Sequence, residues 1–103
     1  MSVLKKRLKE ARLKSGLSQE QLGLMAGLEV ESASARMNRY ERGTRAPTTE
    51  LMERIADALK LPLAYFYAVE ESEAALLVSF HQMSHDNKKT LLEIAAKFVT
   101  PSF

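Results

Sequence analysis

The sequence predicts an all-α protein of seven helices. Apolar side chains recur every three or four residues through most of the chain, which is the period of an amphipathic helix. No stretch alternates apolar and polar residues with the period of two that a half-buried β-strand shows. Two short runs, residues 16–22 and 38–43, also carry the residue types that begin and end helices. A helical fold with short connections is therefore expected.

The composition is that of a globular protein with one modest core. The chain has 103 residues, of which 46% are hydrophobic and 27% charged, and it contains no cysteine. This length predicts one domain, and the absence of cysteine excludes disulfides and thiolate metal sites. No apolar run approaches the roughly 20 residues of a membrane-spanning helix, and no signal peptide is visible. We therefore expect a cytoplasmic protein.

Charge is unevenly distributed along the chain. Residues 1–69 hold 12 Lys and Arg against 8 Asp and Glu, whereas residues 70–103 hold 3 against 5. A basic front part and an acidic rear part suit a molecule that turns one end towards phosphates. A split of this size also arises by chance, so the distribution supports this interpretation without establishing it.

The first helix is predicted over residues 3–15. Leu4, Leu8 and Ala11 form its apolar face, and Gly16 ends it. Ser18 is predicted to cap the free backbone N–H groups at the start of the second helix, and the side chain of Gln21 closes a capping box. This helix runs to about residue 26.

The third helix is predicted from about Ser32 to Arg42, after a connector over residues 28–31. Arg42 suits the negative end of the helix dipole, and Gly43 can adopt the left-handed conformation that ends a helix. Two short helices joined in this way have the layout of a helix-turn-helix, whose second helix enters the DNA major groove.

The fourth helix is predicted to begin after Thr48 and to end near Lys60, ahead of Pro62. Its buried face is expected to contain Met52, Ile55, Ala56 and Leu59. Pro62 can start a short fifth helix that turns Leu63 and Phe66 inward.

Residues 70–103 are predicted to form two further helices, the second capped by Ser84 or Asp86. Their apolar side chains have two possible destinations. They can fold back onto the core of their own chain, or they can pair with a second copy across a two-fold axis. We favour pairing, with a contact formed by Leu76, Leu77, Phe80, Leu91, Leu92 and Phe98.

The chain from Leu4 to Phe66, about three-fifths of its length, resembles the Cro/C1-repressor-like (XRE) helix-turn-helix family. The resemblance rests on the order and spacing of Leu8, Arg12, Gly16-Leu17-Ser18-Gln19, Leu22, Tyr40-Glu41-Arg42-Gly43, Pro47 and Ile55-Ala56-x-x-Leu59. It implies a five-helix lambda-repressor-like DNA-binding domain over residues 1–69, followed by a two-helix extension over residues 70–103. It also implies a sequence-specific transcriptional regulator, with repression and dimeric binding to a two-fold operator as the expected mode of action.

The resemblance assigns roles to individual residues. Base contacts are expected from Ser32, Ser34, Ala35, Arg36, Asn38 and Arg39. Phosphate contacts are expected from Ser18, Gln19, Arg42, Thr44 and Arg45. Arg12 and Glu41 are expected to form an internal ion pair that holds the third helix, the alternative being two solvated surface charges. Met37 and Tyr40 match positions of the family that face the core.

The chain departs from the family pattern in two places. From Ser18 to Tyr40 it is four residues longer than usual, with the excess around residues 28–35. Either the connector is longer or the third helix starts earlier. Gly23 stands where the family usually has alanine, which keeps the helices close but costs roughly 0.5–1 kcal/mol of helix propensity.

The two alternatives to a DNA-binding regulator are a protein-interaction module and an enzyme. A helix-turn-helix can serve as a protein-interaction module, antitoxin-like or polymerase-binding, because fold does not fix function. An enzyme is not expected, since there is no cysteine nucleophile, P-loop or carboxylate cluster with metal spacing. His81 and His85 are spaced like a zinc pair on a helix, but a helix boundary is predicted between them. We expect no metal, cofactor or small-molecule ligand, and the partners are double-stranded DNA and a second copy.

Overall fold

The computed structural model of the protein describes residues 2–100. Residue 1 and residues 101–103, the outer limits of the two predicted domains, lie outside the described residues. Six α-helices and one 3₁₀ helix follow one another in this part of the chain, with no β-strand, which confirms the all-α prediction. The elements are α1 (Ser2–Lys14), α2 (Gln19–Met25), α3 (Ala33–Arg42), α4 (Thr49–Leu59), the 3₁₀ helix (Leu63–Tyr67), α5 (Glu71–Gln82) and α6 (His85–Ala96).

The predicted caps are present at three helix starts. Ser18 Oγ accepts a hydrogen bond from the Gln21 N–H at 3.0 Å, and Gln21 Oε1 accepts one from the Ser18 N–H at 2.8 Å. This reciprocal pair is the capping box predicted for α2. Thr48 and Ser84 each accept a hydrogen bond from the backbone N–H three residues later. Each cap contributes about 1 kcal/mol to stability by satisfying an otherwise free donor.

Left-handed residues end α3 and α4. Gly43 follows α3 with φ of 77°, as predicted, and Lys60 follows α4 with φ of 56°. Lys60 is the only residue other than glycine with positive φ in residues 2–100. Pro62 then prevents a further helical turn and precedes the 3₁₀ helix.

The hydrophobic core lies between α1, α2, α3, α4 and the 3₁₀ helix. Its largest fully buried apolar side chains are Leu8, Leu22, Met37, Leu51, Met52, Ile55 and Phe66. Met37 and Tyr40 face this core, as expected. From α5 the core receives Ala74, with half-buried Leu77 and Val78 packed against it.

The last helix extends away from this core. No residue of α6 is buried, and the helix makes at most isolated contacts with the other helices. The described molecule accordingly measures 51 × 26 × 22 Å. The chain's own core therefore takes up only part of α5 and leaves the apolar residues of α6 exposed, apart from half-buried Leu91.

The four residues by which this chain exceeds the family pattern between Ser18 and Tyr40 lie in the connector between α2 and α3, which they lengthen. The connector forms a turn in which the carbonyl of Glu29 accepts hydrogen bonds from the N–H groups of Ser32 and Ala33, at 3.1 and 2.8 Å. Leu28 and Ala33 are buried at its two ends, whereas residues 29–31 are exposed. A longer connector, and not an earlier helix start, accommodates the extra length.

Gly23 allows α2 and α3 to pack closely. A Cβ atom at position 23 would lie 2.9 Å from the Cβ of Ala33 and 3.2 Å from its carbonyl oxygen. Ala33 is fully buried at the start of α3. The contact between the two helices therefore requires glycine here, despite its low helix propensity.

We expect Gly23→Ala to destabilise the protein by about 1–3 kcal/mol, because overpacking at this contact outweighs the roughly 1 kcal/mol that alanine adds through helix propensity. Urea denaturation of the two proteins measures the difference. Gly23→Ala combined with Ala33→Gly should recover part of the loss, because the nearest atom is then absent. A Gly23→Ala variant that is more stable than the wild type would contradict the prediction that position 23 requires glycine.

Candidate nucleic-acid interface

An ion pair between Arg12 and Glu41 joins α1 to the end of α3. Arg12 Nε donates to Glu41 Oε2 at 2.6 Å, and Arg12 Nη2 donates to Glu41 Oε1 at 3.0 Å. Arg12 is 9% exposed and Glu41 8% exposed, so neither is a solvated surface charge. A planar guanidinium and a carboxylate bonded at two points fix each other in orientation as well as in distance.

Two polar groups near the start of α2 complete the ion pair. Arg12 Nη1 donates to the carbonyl of Leu17 at 2.9 Å, and Gln19 Nε2 donates to Glu41 Oε1 at 3.2 Å. The hydrogen bond from Arg12 to Glu41 raises the pKa of Arg12 against the opposing effect of burial, and the charge of Glu41 adds to this. The guanidinium therefore stays ionised and connects α1, α2 and α3.

With α3 held in this way, one of its faces is buried and the other is exposed. The inward residues are Ala33, Met37, Tyr40 and Glu41. Ser34, Ala35, Arg39 and Arg42 are exposed, and Asn38 lies half-exposed between them. Ser32 precedes the helix as its N-cap residue, without a capping bond from its side chain. Four of the residues expected to contact bases, Ser34, Ala35, Asn38 and Arg39, thus share the outward face.

A basic cleft of about 330 Å³ lies between α3 and the loop that follows it. Its lining residues are Arg36, Arg39, Tyr40, Arg45, Ala46 and Thr48, with no carboxylate among them.

One of these arginines is tethered to its own helix. Arg36 donates from Nη2 and Nε to the Tyr40 hydroxyl at 2.9 and 3.2 Å, and its guanidinium lies 5.9 Å from the centre of the Tyr40 ring. Sequence reasoning did not identify this contact, although residues four apart on a helix lie side by side.

The residues expected to contact phosphates lie at the start of α2 and around the end of α3. The hydrogen bond between Gln19 and Glu41 places these two regions side by side. Ser18, Arg42, Thr44 and Arg45 are exposed there. Gln19 differs from them, because its side-chain amide turns inward to the ion pair.

A second buried arginine was not singled out from the sequence. Arg7 lies in α1 with only 1% of its surface exposed and contacts the chain around the start of α5. A signal for it was present, since Arg7 is three residues after Leu4 and four before Ala11, on the apolar face of the helix.

Within the described part of the chain, no group of three or more His, Cys, Asp or Glu side chains is arranged to hold a metal ion. His81 and His85 lie on different helices, α5 and α6, and both are exposed. Among residues 2–100, none of the helices has both the length and the apolar character needed to cross a membrane.

Comparisons with known proteins agree with this geometry. A protein-family model described as helix-turn-helix matches residues 8–66. Among solved structures, the crystal structure of the transcriptional regulator BswR superposes with a TM-score of 0.83 at 39% sequence identity. The match covers 90% of this chain and 92% of that chain, so it includes much of the region after residue 69. A search of curated proteins gave no match.

Replacing either member of the Arg12–Glu41 pair should destabilise the fold by about 3–5 kcal/mol, because the remaining buried charge loses its partner. We expect Arg12→Met and Glu41→Leu each to show this loss in urea denaturation. The double variant should lose less than the sum, which a double-mutant cycle measures.

Arg42→Met is the matched control, since Arg42 is exposed on the same helix as Glu41. It should change stability by less than about 1 kcal/mol, the range of exposed charges near a helix end. A coupling energy of zero between Arg12 and Glu41 would contradict a structural role for the pair.

Proposed function

Because the chain belongs to the XRE family of helix-turn-helix proteins, we propose that this DNA-binding transcriptional regulator acts in the cytoplasm as a homodimer that represses genes from a two-fold operator. The observation that supports the proposal most is the outward face of α3 beside the basic cleft. A helix held by buried contacts presents polar side chains outward, and cations lie next to it. Base reading and phosphate binding need these two features.

In this proposal the outward face of α3 enters the major groove. Arg39 is exposed in the last turn of α3 and can donate two hydrogen bonds to the O6 and N7 atoms of one guanine. Asn38, half-exposed, can pair with adenine in a similar two-point manner. Ser34 and Ala35, one turn earlier, approach base edges near the start of the helix, and Ser32 lies at its N-cap.

The basic cleft receives a backbone phosphate. Arg36 and Arg45 supply positive charge, and the tether to Tyr40 holds the Arg36 guanidinium at the cleft before DNA arrives. This tether favours a phosphate contact for Arg36 over the base contact expected from the sequence. Exposed Arg42 and Thr44 extend the phosphate contacts around the end of α3, and Ser18 extends them at the start of α2. Gln19 lies beside Ser18, but its side-chain amide is bonded to Glu41, which weakens the phosphate contact expected from the sequence.

The dimeric part of the proposal is supported by α6. A helix of 12 residues is marginally stable alone in water, and α6 has no buried residue to stabilise it. Leu92 is 60% exposed and Phe98 81% exposed. A second copy that packs against this face would bury these side chains against their symmetry mates.

The proposed dimer contact continues onto α5. Leu76 is exposed there, and Phe80 is half-buried, as is Leu91 on α6. Leu77 contributes less, because it packs against the core of its own chain. Ile94 on α6 and Val99 just after it are also exposed and would be available to the same contact.

Pairing through α5 and α6 serves operator recognition. A single α3 reads only a few base pairs, whereas two copies related by a two-fold axis read two half-sites about one DNA turn apart. Bound across a promoter, such a dimer would exclude the polymerase by occupancy alone. Repression therefore requires no contact beyond those already described.

Arg39→Ala should cost about 1–3 kcal/mol of binding free energy and relax base preference at one position, because it removes a bidentate base contact. Arg45→Ala should weaken binding to all duplexes alike and reduce the slope of log K against log salt by about 1. Competition binding against a panel of single-base operator variants, repeated at several salt concentrations, separates the two effects.

Lys89→Ala is the control, because Lys89 is exposed on α6, away from the basic cleft. It should change neither base preference nor salt slope. Full base preference in Arg39→Ala would show that Arg39 does not read DNA.

Leu92→Asp should make the protein monomeric at low micromolar concentration and lower operator affinity at least about tenfold, because a charge cannot be buried in the apolar contact and only one half-site is then read. Light scattering measures the first effect and fluorescence anisotropy the second.

Leu13→Asp places the same charge at an equally exposed leucine on α1, where the side chain is 57% exposed. It should leave the protein dimeric. A wild-type protein that is monomeric at these concentrations, or a dimeric Leu92→Asp variant, would refute the proposed contact.

A further inference from the structure

Arg7 holds the link through which α5 joins the rest of the fold. Its side chain is 1% exposed. Arg7 Nε donates to the carbonyl of Ala68 at 3.0 Å, and Nη2 donates to the carbonyl of Val69 at 3.4 Å. Ala68 and Val69 lie between the 3₁₀ helix and α5, outside any helix. A side chain of α1 therefore fixes the backbone at the start of the dimer segment, by which we mean α5, α6 and the residues up to Val99 that form the proposed dimer contact.

The same guanidinium also binds the first residue of α5. Arg7 Nη1 donates to Glu71 Oε1 at 3.1 Å, and Lys6 Nζ donates to the other oxygen of Glu71 at 2.6 Å. The hydrogen bonds from Lys6 and Arg7 lower the pKa of Glu71, so this carboxylate is ionised at neutral pH. Two cations of α1 thus hold one carboxylate at the start of α5.

Glu10 completes the group around Arg7. Glu10 Oε1 accepts a hydrogen bond from Arg7 Nη1 at 3.2 Å and another from the Tyr65 hydroxyl at 2.5 Å. The hydrogen bond from Tyr65 lowers the pKa of Glu10, and Arg7 adds to this effect. Arg7, which belongs to α1, therefore connects this helix to the 3₁₀ helix and to the start of α5.

The direction of α5 depends on these contacts, because few others hold the helix. Ala74 is its only buried residue, Leu77 and Val78 are half-buried, and α6 adds no buried residue. The 12 residues of α5 span about 18 Å. A rotation of about 15° at the link would move the far end by about 5 Å, which exceeds the 3.4 Å rise of one base pair.

We propose that Arg7 is a positioning residue that determines the half-site spacing the protein recognises. The inference rests on the dimeric DNA binding proposed above. The reading helix α3 is fixed to α1 by Arg12, and the dimer segment is fixed to α1 by Arg7. The distance between the two reading helices of a dimer then follows from the angle between α1 and α5.

Half-site spacing provides the test. Operators selected by the wild-type protein from random 30-base-pair duplexes are remade with one or two base pairs inserted at their centre. We expect the wild-type protein to lose about tenfold in affinity for each inserted base pair, because protein or DNA must then deform. In Glu71→Ala and Arg7→Met the loss should fall to about threefold or less, with affinity for a single half-site unchanged.

Glu73→Ala is the matched control, since it removes an exposed carboxylate from the same first turn of α5, away from the Arg7 contacts. It should keep the wild-type spacing preference. Light scattering and thermal denaturation establish that each variant is dimeric and folded, and Glu71→Ala serves if Arg7→Met does not fold.

Three results separate the inference from the function on which it rests. A folded, dimeric Glu71→Ala variant with the wild-type spacing preference overturns the inference. A monomeric Glu71→Ala variant also overturns it, because the contact would then support dimerisation itself. A wild-type protein that binds single half-sites as well as paired ones refutes dimeric operator binding.

Discussion

The orientation of α3 in this protein depends on the buried pair of Arg12 and Glu41. A buried charge is tolerated only when its partners are present with good geometry, so the pair is compatible with a narrow range of helix orientations. Gln19 and the carbonyl of Leu17 narrow that range further, because each satisfies a remaining polar atom of the pair. The orientation of α3 therefore follows from the requirement to neutralise charge inside the fold, as well as from apolar packing.

The first helix connects the two parts of the molecule to which we have assigned DNA reading and dimerisation, α3 and the helices α5 and α6. Through Arg12 it holds α3, and through Arg7 it holds the start of α5. Both arginines are buried, and each binds a carboxylate. Arg12 also donates to the backbone carbonyl of Leu17, and Arg7 donates to those of Ala68 and Val69. In the proposed dimer, a rigid α1 would therefore transmit the geometry of the dimer contact to the spacing of the two DNA contacts.

The longer connector shows where the fold places the extra residues. Leu28 and Ala33 remain in the core, and the additional residues turn outward between them. Gly23 allows Ala33, which follows this connector, to pack directly on α2, because any larger side chain at position 23 would collide with Ala33. The acidic residues Glu29 and Glu31 are consequently exposed at the edge of the helix-turn-helix.

The sequence by itself determined the helices, their ends and the family, because caps such as Ser18 and Thr48 and the stop at Gly43 act within a few residues of chain. It also indicated Arg12 and Glu41 as partners, through the resemblance to a family. Only the tertiary structure decided the positions of Arg7 and of the terminal helices. Apart from Glu10, the residues that accept hydrogen bonds from Arg7 lie more than 60 positions later in the sequence. An apolar helical face has the same spacing whether it packs on its own core, as part of α5 does, or is left exposed, as in α6.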